Sequence, residues 1–107
     1  MLKQFLQNSE VDFISIHHYG NAINEYASEK QKMEDIKSIY YDAILSLRDF
    51  IKQYQPDKDI EIIEGEYNSD YRASYMPHLD EQFTAAWYAS ALIWQIRSQE
   101  IDIEMFY

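Results

Sequence analysis

Ile60-Glu61-Ile62-Ile63-Glu64, running on into Gly65-Glu66-Tyr67-Asn68-Ser69, decides the fold. The first five residues are short-range β-formers bounded by Asp59 before and a polar segment after, so they read as a strand. A polar loop from Tyr67 to Leu79, rich in Asn, Ser, Asp, Arg and Tyr, follows. Upstream, from about Ser28 to Tyr54, Met33, Ile36, Tyr40, Ile44, Leu47, Ile51 and Tyr54 recur at three- and four-residue steps, the period of a helix. Pro56 with Asp57 stops it. Further upstream, Val11-Asp12-Phe13-Ile14-Ser15-Ile16-His17, closed by Tyr19-Gly20, reads as another strand, and residues 1–8 as the end of an amphipathic helix with Leu2, Phe5 and Leu6 on one side.

Downstream, Asp80 suits an N-cap with Glu81 in the first turn of a second long helix. Phe83, Trp87, Ser90, Ala91 and Trp94 form its expected buried stripe, and Ala85, Ala86, Ala89 and Ala91 suit close packing on a sheet. Ile101-Asp102-Ile103-Glu104-Met105-Phe106 reads as a third strand. The order is α-β-α-β-α-β. Such alternation predicts parallel strands joined by right-handed helical crossovers. The expected class is α/β, about three parallel β/α units of a partial (β/α)8 TIM barrel. A closed barrel takes about 250 residues, so residues 1–107 are expected to be a fragment of a barrel, incomplete at both ends. The alternative is a small open α/β sheet that stands alone.

Composition narrows the chemistry. Of 107 residues, 47% are hydrophobic and 16% aromatic, enough for a core and against disorder. No Cys is present, which removes disulfides, thiolate metal sites and a Cys nucleophile. Nineteen acidic residues against 9 basic ones give a net charge of −10, which repels phosphate backbones, so no nucleic-acid partner is expected. No apolar run approaches the ~20 residues of a membrane helix, and no membrane association is expected. The first residues lack the apolar core and cleavage site of a signal peptide; a cytoplasmic protein is expected if Met1 is the true start.

In parallel β/α folds the loops after the strands build the site. His17, Tyr19 and Glu66 would therefore share one end of the sheet. Glu64, two residues before Glu66, is expected by strand alternation on the same side. His17 and His18 are adjacent and should point to opposite faces, so they would not share an ion; no metal and no cofactor are expected. Tyr40, Tyr54, Trp87 and Trp94 lie at helical spacing and read as core, whereas Tyr67, Tyr71 and Tyr75 lie in the loop after Glu66, where sugar could stack.

Val11-Asp12-Phe13-Ile14-Ser15-Ile16-His17-His18-Tyr19-Gly20 resembles the "DFISxHxYG" strand of glycoside hydrolase family 39, a family of clan A retaining β-glycosidases that includes β-xylosidases. Ile62-Ile63-Glu64-Gly65-Glu66-Tyr67-Asn68-Ser69 resembles that family's nucleophile strand, "ITEWNS", with Gly65 where Thr is common and Tyr67 where Trp is common. Met76-Pro77-His78-Leu79-Asp80, leading into Ala85-Ala86-Trp87-Tyr88-Ala89, is similar to the loop and small-residue helix that follow.

The resemblance implies a carbohydrate substrate and hydrolysis of an O-glycosidic bond by double displacement. It makes Glu66 the catalytic nucleophile, Tyr19 the hydrogen-bond partner that holds it, and His17, Tyr67 and Asn68 substrate contacts. The acid/base residue of this clan ends an earlier strand in an Asn-Glu pair. Asn24-Glu25 lies in the connection after the first strand, not at a strand end, and is not expected to serve. The acid/base would thus be missing from this chain, whose isolated activity should be very low. Exposed sheet edges would favour self-association. Two rival readings stay open: a non-catalytic α/β module that binds carbohydrate or protein, and a small metal-assisted hydrolase using Glu66 with His17.

Overall fold

The computed structural model describes residues 2–72 and 82–107. The expectations placed on Tyr75, Met76-Pro77-His78-Leu79-Asp80 and Glu81 lie outside these residues. The described elements are α1 (Leu2–Asn8), β1 (Phe13–Tyr19), α2 (Glu29–Lys37), a π-helical turn (Ser38–Asp42), α3 (Ala43–Tyr54), β2 (Glu61–Asn68), α4 (Gln82–Ser98) and β3 (Ile103–Phe106). The three strands form one sheet in the order β1-β2-β3, and both neighbouring pairs are parallel. The α/β class and the parallel pairing expected from alternation are therefore seen; what is present is a small three-stranded α/β sheet.

The helices cover one face. Ile60 and Ile62 of the β2 segment are fully buried there with Leu6 of α1 and Ile51 of α3, and Ile14, Ile16 and Leu47 pack around them. A second cluster joins Ile36, Ile39 and Tyr40 to Tyr67, Trp87 and Ala91. The opposite face carries Phe13, Ile103 and Met105, all about half exposed at 56%, 47% and 49%. Among the described residues no element covers it.

Ser28 begins α2 in the manner of an N-cap, its hydroxyl accepting the N–H of Gln31 at 3.2 Å. The helical stripe of residues 28–54 is continuous but changes phase. The N–H of Ala43 reaches the carbonyl of Ser38, a wide i→i+5 turn that places both Ile39 and Tyr40 inside. Before that turn the buried residues are Lys32 and Ile36, and Met33 is 38% exposed, which corrects the expectation that Met33 heads the stripe.

In α4 the buried residues are Thr84, Trp87, Ala91, Gln95 and Ser98. Phe83, Tyr88 and Trp94 flank the core, half buried. Ala85, Ala86 and Ala89 face outward, so the alanines expected to pack on the sheet do so only at Ala91. Gln99 ends the helix at φ 58°, the left-handed region that side chains other than glycine disfavour. Gln99→Gly should raise stability by ~0.5–1 kcal/mol, seen as a higher urea midpoint at unchanged slope.

Two ion clusters tie the sheet to the helices, one at each end. At the N-terminal end of β2 and β3, Arg48 of α3 donates from Nη1 to the carbonyl of Ile60 at 2.6 Å and from Nε to Glu100 at 2.6 Å. At the C-terminal end, Lys32 of α2 meets the fully buried Asp70 at 2.8 Å. Asp70 also accepts from Arg72 and from Asn21 Nδ2. Burial alone would raise the Asp70 pKa, but hydrogen bonds from Arg72 and Lys32 outweigh it and hold the carboxyl well below the usual carboxylate range.

Candidate functional site

Because the strands are parallel, Tyr19 and Asn68 end β1 and β2 on the same side of the molecule. The pairing there is not regular. Ile16 stands opposite Glu64 and His17 opposite Glu66, so Gly65 has no partner across the ladder. This is a β-bulge, with two residues of β2 opposing one of β1. A lone Gly inside a strand pattern is its sequence signal. The strand consequently does not end at Glu64 but continues to Asn68.

The bulge corrects the alternation expected along β2. Glu64 is fully buried on the helix-covered face and binds His18. Glu66, one third exposed, joins Tyr19 and His17 on the other face. The two carboxylates are thus on opposite faces of the sheet. A Cβ added to Gly65 would lie 2.5 Å from Ser15 Oγ and 3.1 Å from His17 Nε2, so Gly65 also belongs to the open face. Both near atoms end side chains that can move. Gly65→Ala should therefore cost only ~1 kcal/mol in urea unfolding while shifting the His17 imidazole resonances.

Tyr19 donates its hydroxyl to Glu66 Oε2 at 2.5 Å, and His17 Nδ1 stands 3.6 Å from the same oxygen. Burial first, and then the hydrogen bond and charge of Glu66, push the Tyr19 phenol well above its ordinary pKa. Tyr19 is thus a fixed proton donor to Glu66 across the physiological range. Glu66 in turn has one oxygen committed and an open side toward solvent, which suits a nucleophile or a base. The His17–Glu66 contact, with His17 half exposed, adds little to stability. Tyr71 sets its ring edge-on to Tyr19, centroids 6.1 Å apart, and donates its hydroxyl to Glu25 at 3.0 Å.

Of the residues expected to touch substrate, His17 and Tyr19 do gather at Glu66. Tyr67 does not. It lies fully buried on the helix face, stacked on Tyr88 at 5.3 Å and edge-on to Tyr40 and Phe106, because the extra residue at the bulge switches residue 67 to the covered face and residue 66 to the open one. Tyr67 is a core residue, a correction to its placement in a sugar-binding loop. Asn68 is also buried: Nδ2 donates to the carbonyl of Tyr107 at 2.6 Å and Oδ1 accepts the N–H of Ser69. Its amide ties the end of β2 to Tyr107 beyond β3 rather than facing Glu66. Asn24-Glu25 lies in the exposed connection after β1, with the Glu25 carboxylate taken by Tyr71. Among the described residues no group of three His, Asp or Glu could hold a metal ion.

Sequence reading missed the Glu64–His18 pair and the Lys32–Asp70 pair. Only Gly65 signals the first; the second joins residues far apart in the chain and has no local signature. No protein-family model, no curated protein and no solved structure matches the chain.

Proposed function

We propose that this chain is the nucleophile-bearing part of a retaining β-glycosidase, β-xylosidase-like and akin to glycoside hydrolase family 39, built as consecutive units of a (β/α)8 barrel. The observation that carries the reading is the Tyr19–Glu66 hydrogen bond on the open face, near the C-terminal ends of two adjacent parallel strands. Three parallel strands in sequential order, with the described helices on one face, fit a barrel segment whose open face would be the interior. Glu66 attacks the anomeric carbon of a β-linked sugar and forms a glycosyl ester. Tyr19 holds the attacking carboxylate in line, and His17 contacts a sugar hydroxyl. Retaining enzymes set the second carboxyl ~5–5.5 Å away as acid and then base. In this proposal that group belongs to a strand this chain does not contain. Self-association through the sheet edges is the way such a piece would shield them.

Only the glycosylation half of the reaction is open to the chain alone, and only with a leaving group that needs no protonation. 2-Deoxy-2-fluoro-β-xylosyl fluoride provides one: the Glu66 carboxylate oxygen bonds to C1, the C1–F bond breaks and fluoride departs. Mass spectrometry should find one fluorosugar on the peptide containing Glu66, and none in Glu66→Gln. No label, or label on another carboxylate, would overturn the reading and leave the non-catalytic binding module in its place.

A further inference from the structure

Glu64 is a fully buried carboxylate that the proposed chemistry does not use. Among the described residues its hydrogen-bond partners are both at one residue. Oε1 accepts the backbone N–H of His18 at 2.8 Å, and Oε2 accepts from His18 Nδ1 at 2.8 Å. When Glu64 is ionised it can only accept, and the Nδ1 contact then has the ring nitrogen as donor. From the same covered face, Tyr40 donates its hydroxyl to the carbonyl of His18 at 2.8 Å. The N–H, the ring and the C=O of His18 are therefore all held by two buried side chains.

His18 sits where the ladder is broken. The register slips between Ile16 and His17, opposite Gly65, and a bulge disrupts the backbone bonding beside it. His18 itself stands opposite Tyr67, just past the slip, and the carboxylate of Glu64 accepts its N–H. Residues 17 and 19, on either side of this clamp, carry the two side chains that meet Glu66 on the opposite face. Holding residue 18 from below thus fixes the height and angle of both neighbours above. Glu66 itself hangs from the bulge that Glu64 begins.

We propose that Glu64, with Tyr40, is a positioning residue for Glu66: it pins His18 across the bulge and so sets the Tyr19–Glu66 geometry. As a statement about reaction rate, the inference rests on the nucleophile reading; as a statement about geometry, it does not. A leucine at 64 keeps an apolar side chain in the covered layer but has no polar atom, so it holds neither the N–H nor the ring of His18. A phenylalanine at 40 removes only the hydroxyl and keeps the ring packing, so it tests the clamp in a chain that folds.

The experiment compares wild type, Glu64→Leu and Tyr40→Phe in the full chain. The first readout is the rate of labelling by 2-deoxy-2-fluoro-β-xylosyl fluoride, separated into a binding constant and a first-order rate. Misplacing a reacting group by about 1 Å costs on the order of 10²-fold. Glu64→Leu should therefore lose about that factor in the first-order rate with its binding constant unchanged, and Tyr40→Phe a smaller part of it. The second readout is the nuclear Overhauser contact between the Tyr19 ring and the Glu66 γ-methylene, expected in wild type and weakened in both variants. Wild-type labelling with unchanged rates in both variants overturns the positioning role. If wild type takes no label, the glycosidase reading fails and the Overhauser contact decides alone. Its persistence in both variants overturns the inference, and its loss supports it.

Discussion

Asp70→Ala should destabilise the protein by ~3–5 kcal/mol, the cost of leaving a buried charge without its partner. Lys32 is 2% exposed, and Asp70 is the acceptor for its ammonium group at 2.8 Å. Removing the carboxylate strands that ammonium group beneath the loop after β2. For a domain of this size the loss corresponds to a fall in Tm of roughly 15 °C or more. Lys32→Met should cost less, because Asp70 keeps Arg72 at 3.0 Å. Lys32→Met combined with Asp70→Ala should recover part of the loss, since no buried charge then stands alone. Urea unfolding of the three variants measures all of this.

The same group sets the acid limb of stability. The folded pKa of Asp70 is depressed, so its contribution is fully present above the ordinary Asp value of about 3.9 and fades as pH falls below it. Glu104 has the opposite sign. Burial, reinforced by the charge of Glu64 and opposed by a hydrogen bond from Tyr67, raises its pKa. Protonating Glu104 therefore favours the fold slightly as pH drops toward the ordinary carboxylate range, before Asp70 begins to destabilise it. Urea midpoints should rise or hold between neutral pH and about 5, then fall below about 4. Asp70→Ala should lack that final fall.

Trp87→Ala carries the other large effect, ~3–5 kcal/mol for emptying a buried indole site. Trp87 is fully buried, edge-on to Tyr40 at 5.5 Å and in the cluster that joins α2, β2 and α4. Its Nε1 has no hydrogen-bond partner among the described residues, so part of what the indole contributes by packing is offset by a desolvated N–H. Trp87→Phe should consequently cost much less, ~1–2 kcal/mol, because it removes that N–H along with some volume. Chemical denaturation of the pair separates the two effects. A Phe variant as unstable as the Ala variant would show that packing shape alone governs the site.

Strand and helix positions were legible because they rest on local period: Ile14 and Ile16, Ile60 and Ile62, and Ile36, Tyr40, Ile44 and Ile51 face inward as their spacing requires. Parallel pairing followed from alternation of the elements. What escaped were events that local period does not encode. One extra residue at Gly65 inverts the faces of everything after it, so Tyr67 moved from a sugar loop into the core and Glu64 parted from Glu66. In α2 the position four residues before Ile36 lies inside rather than the one three before it, because Lys32 reaches the buried Asp70. Charged residues read as solvent-facing by type, yet Lys32, Arg48, Glu64 and Asp70 are buried, each matched to a partner 38 to 52 residues away. Of the candidate site, Glu66, Tyr19 and His17 were readable as strand ends; their support from beneath, through Glu64, His18 and Tyr40, was not.

A sheet with one face left open by the described elements also shapes how stability depends on temperature. The heat capacity of unfolding follows the apolar area newly exposed, and Phe13, Ile103 and Met105 are already half in water before the chain unfolds. Their wetted portions add nothing to the change, so the stability curve should be flatter than that of a chain of equal length whose sheet is covered on both sides. Any layer that settles on this face steepens the curve, and a calorimeter would register its arrival as an increase in heat capacity change with no alteration of secondary structure.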